Sequence, residues 1–126
     1  MSKTAISTDR APKAFGPYSQ AIRTGQTLYV SGQLPFDPAT GALVEGGIRE
    51  QTRQTIRNLT AIVEAAGGTL ASIVRVTFFL VDWNDFAAMN EVCAETFKQP
   101  YPARSTIQNS RPMGALVGAD AIAVLD

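Results

Sequence analysis

Residues 48–68, IREQTRQTIRNLTAIVEAAGG, carry the strongest structural instruction in the chain. Ile48, Thr52, Thr55, Ile56, Leu59, Ile62, Val63 and Ala66 recur at helical spacing, while Arg49, Arg53, Arg57 and Glu64 fall elsewhere. The segment therefore reads as an amphipathic helix with one face to bury, and Gly67-Gly68 ends it. The next segment supplies the surface for that face. SIVRVTFFLVD, residues 72–82, is a β-branched and aromatic run and reads as a strand. Val74, Val76, Phe78 and Leu80 make one face, and Phe79 and Val81 leave the other partly apolar as well. A helix that leads into such a strand favours a crossover onto one sheet.

The remaining segments extend this pattern. QAIRTGQTLYVSGQLP, residues 20–35, has turn chemistry at Thr24-Gly25-Gln26 between two strand-like runs and reads as a hairpin. In its second run Thr27, Tyr29, Ser31 and Gln33 alternate with Leu28, Val30 and Gly32. The Ser31-Gly32 pair inside that strand fits a bulge or a close backbone approach. PFDPATGALVEGG, residues 35–47, is loop material. DFAAMNEVCAETFKQ, residues 85–99, reads as a second helix with Phe86, Met89, Val92, Cys93 and Phe97 on its apolar stripe, capped by Asp82 or Asn84 and closed by Pro100 and Pro102. Arg104–Asn109 and Leu116–Leu125 are two further strands around the turn SRPMGA. The order ββαβαββ implies an α+β sheet with both helices on one face, in one domain spanning residues 1–126. The opposite face, with Phe79 and Val81, is left for self-association.

Composition narrows the function. Eleven basic residues balance eleven acidic ones, and histidine is absent. Such a chain has no electrostatic footprint for nucleic acid, and any proton transfer falls to Asp, Glu, Tyr, Cys or water. The one cysteine, Cys93, excludes an internal disulfide, and with no histidine there is no zinc-type ligand set. The absence of a signal-like N-terminus and of a long apolar run implies a cytoplasmic protein with no membrane partner.

Arg104 and Asp120 are the candidate reactive pair. Arg104, Thr106 and Gln108 share one face of their strand. Asp120 is the one charge within the apolar run LVGADAIAVL, residues 116–125. If the last two strands form a hairpin, position 104 pairs near 120 or 121. Such a pair can be a salt bridge at a sheet edge. It can also be a substrate site, with the planar guanidinium gripping a carboxylate and the aspartate holding a water. Tyr18, in GPYSQA, is either a surface tyrosine or a pocket wall. Ser31 has no histidine to activate it as a nucleophile. Asn90 and Cys93 on the second helix read first as edge and core positions.

Taken in order, GPYSQA, YVSGQLPFDPATG, QTRQTIRNLTAIVEAAGG, FAAMNEV and YPARST…AIAV resemble the RidA/YjgF reactive intermediate deaminase family along nearly the whole chain. The resemblance implies a chorismate-mutase-like α+β fold and a homotrimer packed around a central β-barrel, with sites in clefts between subunits. It implies hydrolysis of 2-imino or 2-enamino acids to 2-keto acids and ammonia, with no cofactor and no metal. Carried over by position, the carboxylate-binding arginine is Arg104, and Tyr18, Ser31, Gly32 and Asn90 line the substrate site. Thr106 stands where many members have cysteine. Asp120 stands where a glutamate is usual, and is expected to position the attacking water. The shorter aspartate also leaves room for two other readings: a non-catalytic binder of 2-keto acids, or a catabolic deaminase of a larger acid such as an aminomuconate. An endoribonuclease, an activity ascribed to some relatives, fits poorly with zero net charge and no histidine.

Overall fold

A computed structural model describes residues 2–110 and 112–126. Six strands and two helices are arranged along the chain as β1 (Thr4–Ile6), β2 (Ala21–Thr24), β3 (Thr27–Gln33), α1 (Ile48–Ala65), β4 (Ile73–Leu80), α2 (Phe86–Thr96), β5 (Ala103–Gln108) and β6 (Val117–Val124). The expected ββαβαββ core is present, preceded by the short β1, whose three residues carry no alternation long enough to read. Arg111, in the expected turn SRPMGA, lies outside the described residues.

All strands join one sheet in the order β1-β2-β3-β6-β4-β5. The hairpin expected between the last two strands does not form. β5 pairs parallel with β4, and β6 inserts antiparallel between β3 and β4. The reason lies in α2. It returns the chain to the starting end of β4, so β5 enters as a parallel edge strand. The more apolar run of β6 then takes the central position, where both edges are paired.

Both helices cover one sheet face. Ile56, Leu59, Ile62 and Val63 of α1 and Met89 and Val92 of α2 are buried with Leu28, Val30, Val76, Phe78, Ala119 and Ala121. The stop of α1 is a Schellman turn: Gly67 adopts φ +95°, the Gly68 N–H donates to the Val63 carbonyl and the Gly67 N–H to that of Glu64. At its start the Glu50 carboxylate accepts the Gly47 N–H at 3.0 Å.

Two register shifts correct the simple alternation. A bulge between Ile73 and Arg75 buries Ile73 and leaves Val74 exposed, so the inward row runs 73, 76, 78, 80. A second lies between Val30 and Gln33. It turns Gln33 into the core and Gly32 out to solvent, which is the irregularity that Ser31-Gly32 suggested. On the uncovered face Tyr29, Ile107 and Val124 are exposed, and Phe79 and Ile122 are half-buried. Among the described residues no helix is long and apolar enough to cross a membrane.

Candidate functional site

Arg104 sits near the start of β5, paired with Val76 of β4, whose other neighbour is Ala121 of β6. That row points toward the helices, so the guanidinium reaches α2 at the open edge of the sheet. There Nη1 donates to Asn90 Oδ1 at 2.7 Å, and the guanidinium carbon lies 5.6 Å from the Phe86 ring centroid. Trp83 stacks on Phe86 with centroids 5.1 Å apart. The charge thus rests on an aromatic face and one amide oxygen. Among the described residues it has no acidic partner, in contrast to Arg10, Arg49 and Arg53, which pair with glutamates. An arginine held by neutral groups keeps donors for an anion.

Beside it opens a cleft of about 350 Å³ lined by Val76, Asn90, Cys93, Ala94, Phe97, Tyr101, Pro102 and Arg104. Cys93 lies against the guanidinium. Burial pushes its thiol above the ordinary range, while the charge and hydrogen bond of Arg104 pull it back only in part. Thr106 lies two residues further along β5 on the same face, paired with Phe78.

Asp120 is elsewhere. Its row runs through Thr77 to Ser105 on the uncovered face of the sheet. The salt-bridge reading of Arg104 and Asp120 is therefore excluded within one chain. Across β6 the aspartate faces the bulge of β3, since Ala121 pairs Val30 and Ala119 pairs Gln33. Asp120, Ser31 and Gly32 thus gather at one place. Ser31 Oγ donates to the Ser19 carbonyl and its N–H to that of Gln20, which ties the bulge to the segment bearing Tyr18. That segment is held in turn by buried Gln20, whose amide spans Thr8, Ala11 and Pro12. Tyr18 itself is 44 % exposed, with its ring edge-on to Phe15.

The candidate residues thus form two clusters. Arg104 and Thr106 face the helices at the β5 edge, where Asn90 of α2 meets the arginine. Asp120, Ser31 and Gly32 lie two and three strands away, roughly 10–15 Å at ~4.8 Å per strand, with Tyr18 beside them.

Residues that the sequence pattern did not single out support the second cluster from below. Asn58 of α1 is buried, and its Nδ2 donates to the Leu34 and Phe36 carbonyls while Oδ1 accepts from Gln54. Gln51 Oε1 accepts the Leu116 N–H at 2.7 Å. These amides fix the loop after the bulge and the entry to β6. Gly118 fits closely there: a Cβ would stand 3.0 Å from Leu34 Cδ2 and 3.2 Å from the Gln33 carbonyl, so a larger residue would press on the loop after the bulge. Buried amides on a helical stripe were the available signal.

Comparison with known proteins places this arrangement. The family model described as Endoribonuclease L-PSP matches residues 8–125. The chain belongs to the RidA/YjgF family. A RutC family protein from Pyrococcus horikoshii is 51% identical over 96% of this chain and 97% of that one. A protein from Capra hircus named 2-iminobutanoate/2-iminopropanoate deaminase is 46% identical over 94% of this chain and 88% of its own. The crystal structure of RidA from Psychrobacter superposes with a TM-score of 0.93 at 45% identity, covering 97% of this chain and 99% of that one. The mixed α+β sheet with two helices is thus the RidA fold, and named imine deaminases in the family support a RidA-type function.

Proposed function

We propose that this RidA-family chain hydrolyses 2-imino and 2-enamino acids to 2-keto acids and ammonia, using neither metal nor cofactor. The observation that carries the reading is the Arg104 guanidinium. It is held by Asn90 and Phe86, free of acidic partners among the described residues, and lines a cleft.

A bidentate grip by Arg104 on the substrate carboxylate fixes the C2 imine near Thr106. Asp120 supplies the water. Because it lies on the other sheet face of its own chain, the Asp120 that acts comes from a neighbouring copy, together with that copy's Ser31, Gly32 and Tyr18. The bare apolar face bearing Tyr29, Ile107 and Val124 supports such an assembly, a homotrimer with sites at its subunit boundaries. As the water oxygen adds to C2, Asp120 takes one of its protons and passes it to the nitrogen, giving the carbinolamine. The C–N bond then breaks as the hydroxyl proton is relayed to the leaving nitrogen, leaving a keto group and ammonia. Imines hydrolyse in water unaided, so positioning and modest electrostatic help suffice.

The test is the decay of 2-iminobutanoate, generated in situ, in the presence of wild-type, Arg104→Ala and Asp120→Ala protein. Loss of acceleration in both variants is expected. Undiminished rates in both reject the mechanism. The short Asp120 side chain favours one alternative, a 2-keto acid binder without turnover, which the same assay separates. An RNA-cleaving role finds little support. Arg10, Arg49 and Arg53 are paired with glutamates, which speaks against a cationic track among the described residues.

A further inference from the structure

We infer that Trp83 is a positioning residue for the Arg104 clamp, acting through the Phe86 ring. The inference rests on reading Arg104 as the carboxylate clamp, and it names a side chain outside the cleft wall that sets the clamp in place. Trp83–Asp85 form a 3-10 turn that runs directly into α2. Side chains three apart eclipse in such a turn. Trp83 therefore meets Phe86, and the two rings stack with centroids 5.1 Å apart and planes 18° from parallel. Asn90 follows Phe86 one helical turn later. Trp83, Phe86 and Asn90 thus make one row, and the last two are the groups that hold the guanidinium.

The turn that carries Trp83 is itself well fixed. Asp82 Oδ1 accepts the Asn84 N–H at 2.9 Å, and the Trp83 carbonyl accepts the Phe86 N–H. From β5, Gln108 Nε2 donates to the Val81 carbonyl at 3.0 Å and the Asn109 N–H to that of Leu80 at 2.8 Å. The strand bearing Arg104 is therefore tied to the segment that leads into the turn. Trp83 is 47 % exposed, whereas Phe86 packs against the core. Burial in the core is thus not what the indole contributes. An arginine side chain has many rotamers, and Asp82 and Asp85 flank Trp83 in sequence. Among the described residues neither carboxylate pairs with Arg104. An aromatic face attracts a guanidinium more strongly where water is excluded. The indole covers part of the Phe86 ring and restricts its rotation, so the guanidinium meets a face already in place.

The experiment reads binding and turnover separately. Calorimetric titration with 2-oxobutanoate gives Kd for wild-type, Trp83→Ala, Trp83→Phe, Phe86→Leu and Trp83→Ala/Phe86→Leu proteins. Trp83→Ala is expected to weaken binding about three- to tenfold. Trp83→Phe, which keeps a stacking ring, should restore it to within about twofold. Because Trp83 acts through Phe86, the double variant should bind no worse than Phe86→Leu alone. With 2-iminobutanoate, KM should rise in Trp83→Ala while kcat changes less. Trp83 is the chain's sole tryptophan, so its fluorescence reports on the row directly. Saturating 2-oxobutanoate is expected to shift the wild-type emission and to leave that of Arg104→Ala unchanged. If Trp83→Ala does not fold, Trp83→Leu takes its place in each comparison. Wild-type affinity in Trp83→Ala, or losses that simply add in the double variant, overturn the inference and leave the clamp standing. The expected order of Kd values without turnover keeps the inference and removes the deaminase reading. Binding that Arg104→Ala does not weaken overturns both.

Discussion

Arg104 and Asp120 stand on opposite faces of one sheet, although each lies beside β4. Val76 neighbours the arginine and Thr77, the next residue, neighbours the aspartate. Adjacent residues of a strand point to opposite sides, so no side-chain rotation brings the two together. If both act in one reaction, they come from different chains. Arg104→Ala and Asp120→Ala proteins are each expected to be inactive alone. Unfolded together and refolded as a mixture, they should regain activity, because a mixed assembly of the proposed trimer contains a boundary at which both side chains are native. Mass spectrometry would confirm mixing. Mixed oligomers as inactive as their parents would place both groups on one chain's side of the site.

Asn90 offers a way to block the clamp without removing it. Its Oδ1 accepts from Arg104 at 2.7 Å. In Asn90→Asp an anion takes that position and captures the guanidinium. A substrate carboxylate must then displace a charge-assisted bond, worth about 1.5–3 kcal/mol. KM is expected to rise roughly ten- to hundredfold while kcat changes less. Asn90→Ala, which frees a donor and adds no competitor, should raise KM only a few-fold. Steady-state kinetics on the two variants side by side decide it, and equal effects would speak against capture.

How much of this was legible in the residues differs from element to element. The α1 stripe and its glycine stop are local, and periodicity finds them. The Ser31-Gly32 bulge announced itself by a glycine inside a strand. The partnering of β5 was not legible, because sequence adjacency suggests a hairpin while the crossover through α2 decides the outcome. That one topological choice separated Arg104 from Asp120, so the candidate residues were readable one by one and their grouping was not. Asn58 and Gln51 were hidden for another reason. On a helical wheel they look like polar intrusions into a buried face. Their worth appears only when the Leu34, Phe36 and Leu116 backbone groups arrive from distant parts of the chain.

Thr55 is the exception on that face. Its hydroxyl is buried with no hydrogen-bond partner among the described residues, whereas the neighbouring Thr52 and Thr60 hydroxyls donate to carbonyls four residues back. An unpaired buried hydroxyl costs about 1–3 kcal/mol. Thr55→Val keeps the shape and removes the polar atom. It is expected to raise stability by about 1 kcal/mol, or ~4 °C in Tm, with no change in kcat/KM. Thr52→Val, which deletes a hydrogen bond that is made, should not stabilise. Thermal unfolding of the two variants in parallel is the check.

Cys93 makes the electrostatics of the cleft measurable. Burial raises its thiol pKa, and Arg104 lowers it by charge and hydrogen bonding without cancelling the rise. With the folded pKa above the unfolded one, the folded chain keeps a proton that the unfolded chain releases. The resulting contribution to stability is intact below the ordinary thiol pKa of ~8.5 and is lost as pH climbs past it. Alkylation should track the same titration: slow at pH ~7.5 and accelerating above pH ~9, since the thiolate is the reactive form. A carboxylate bound at Arg104 offsets the positive charge that pulls the pKa down. A saturating 2-keto acid is therefore expected to move the midpoint of the alkylation profile to higher pH, and to do so only when Arg104 is present. Rates of iodoacetamide labelling across pH, with and without ligand, in wild-type and Arg104→Ala protein, test the coupling. Rapid labelling at neutral pH that no carboxylate slows would show that the thiol and the guanidinium do not share the cleft.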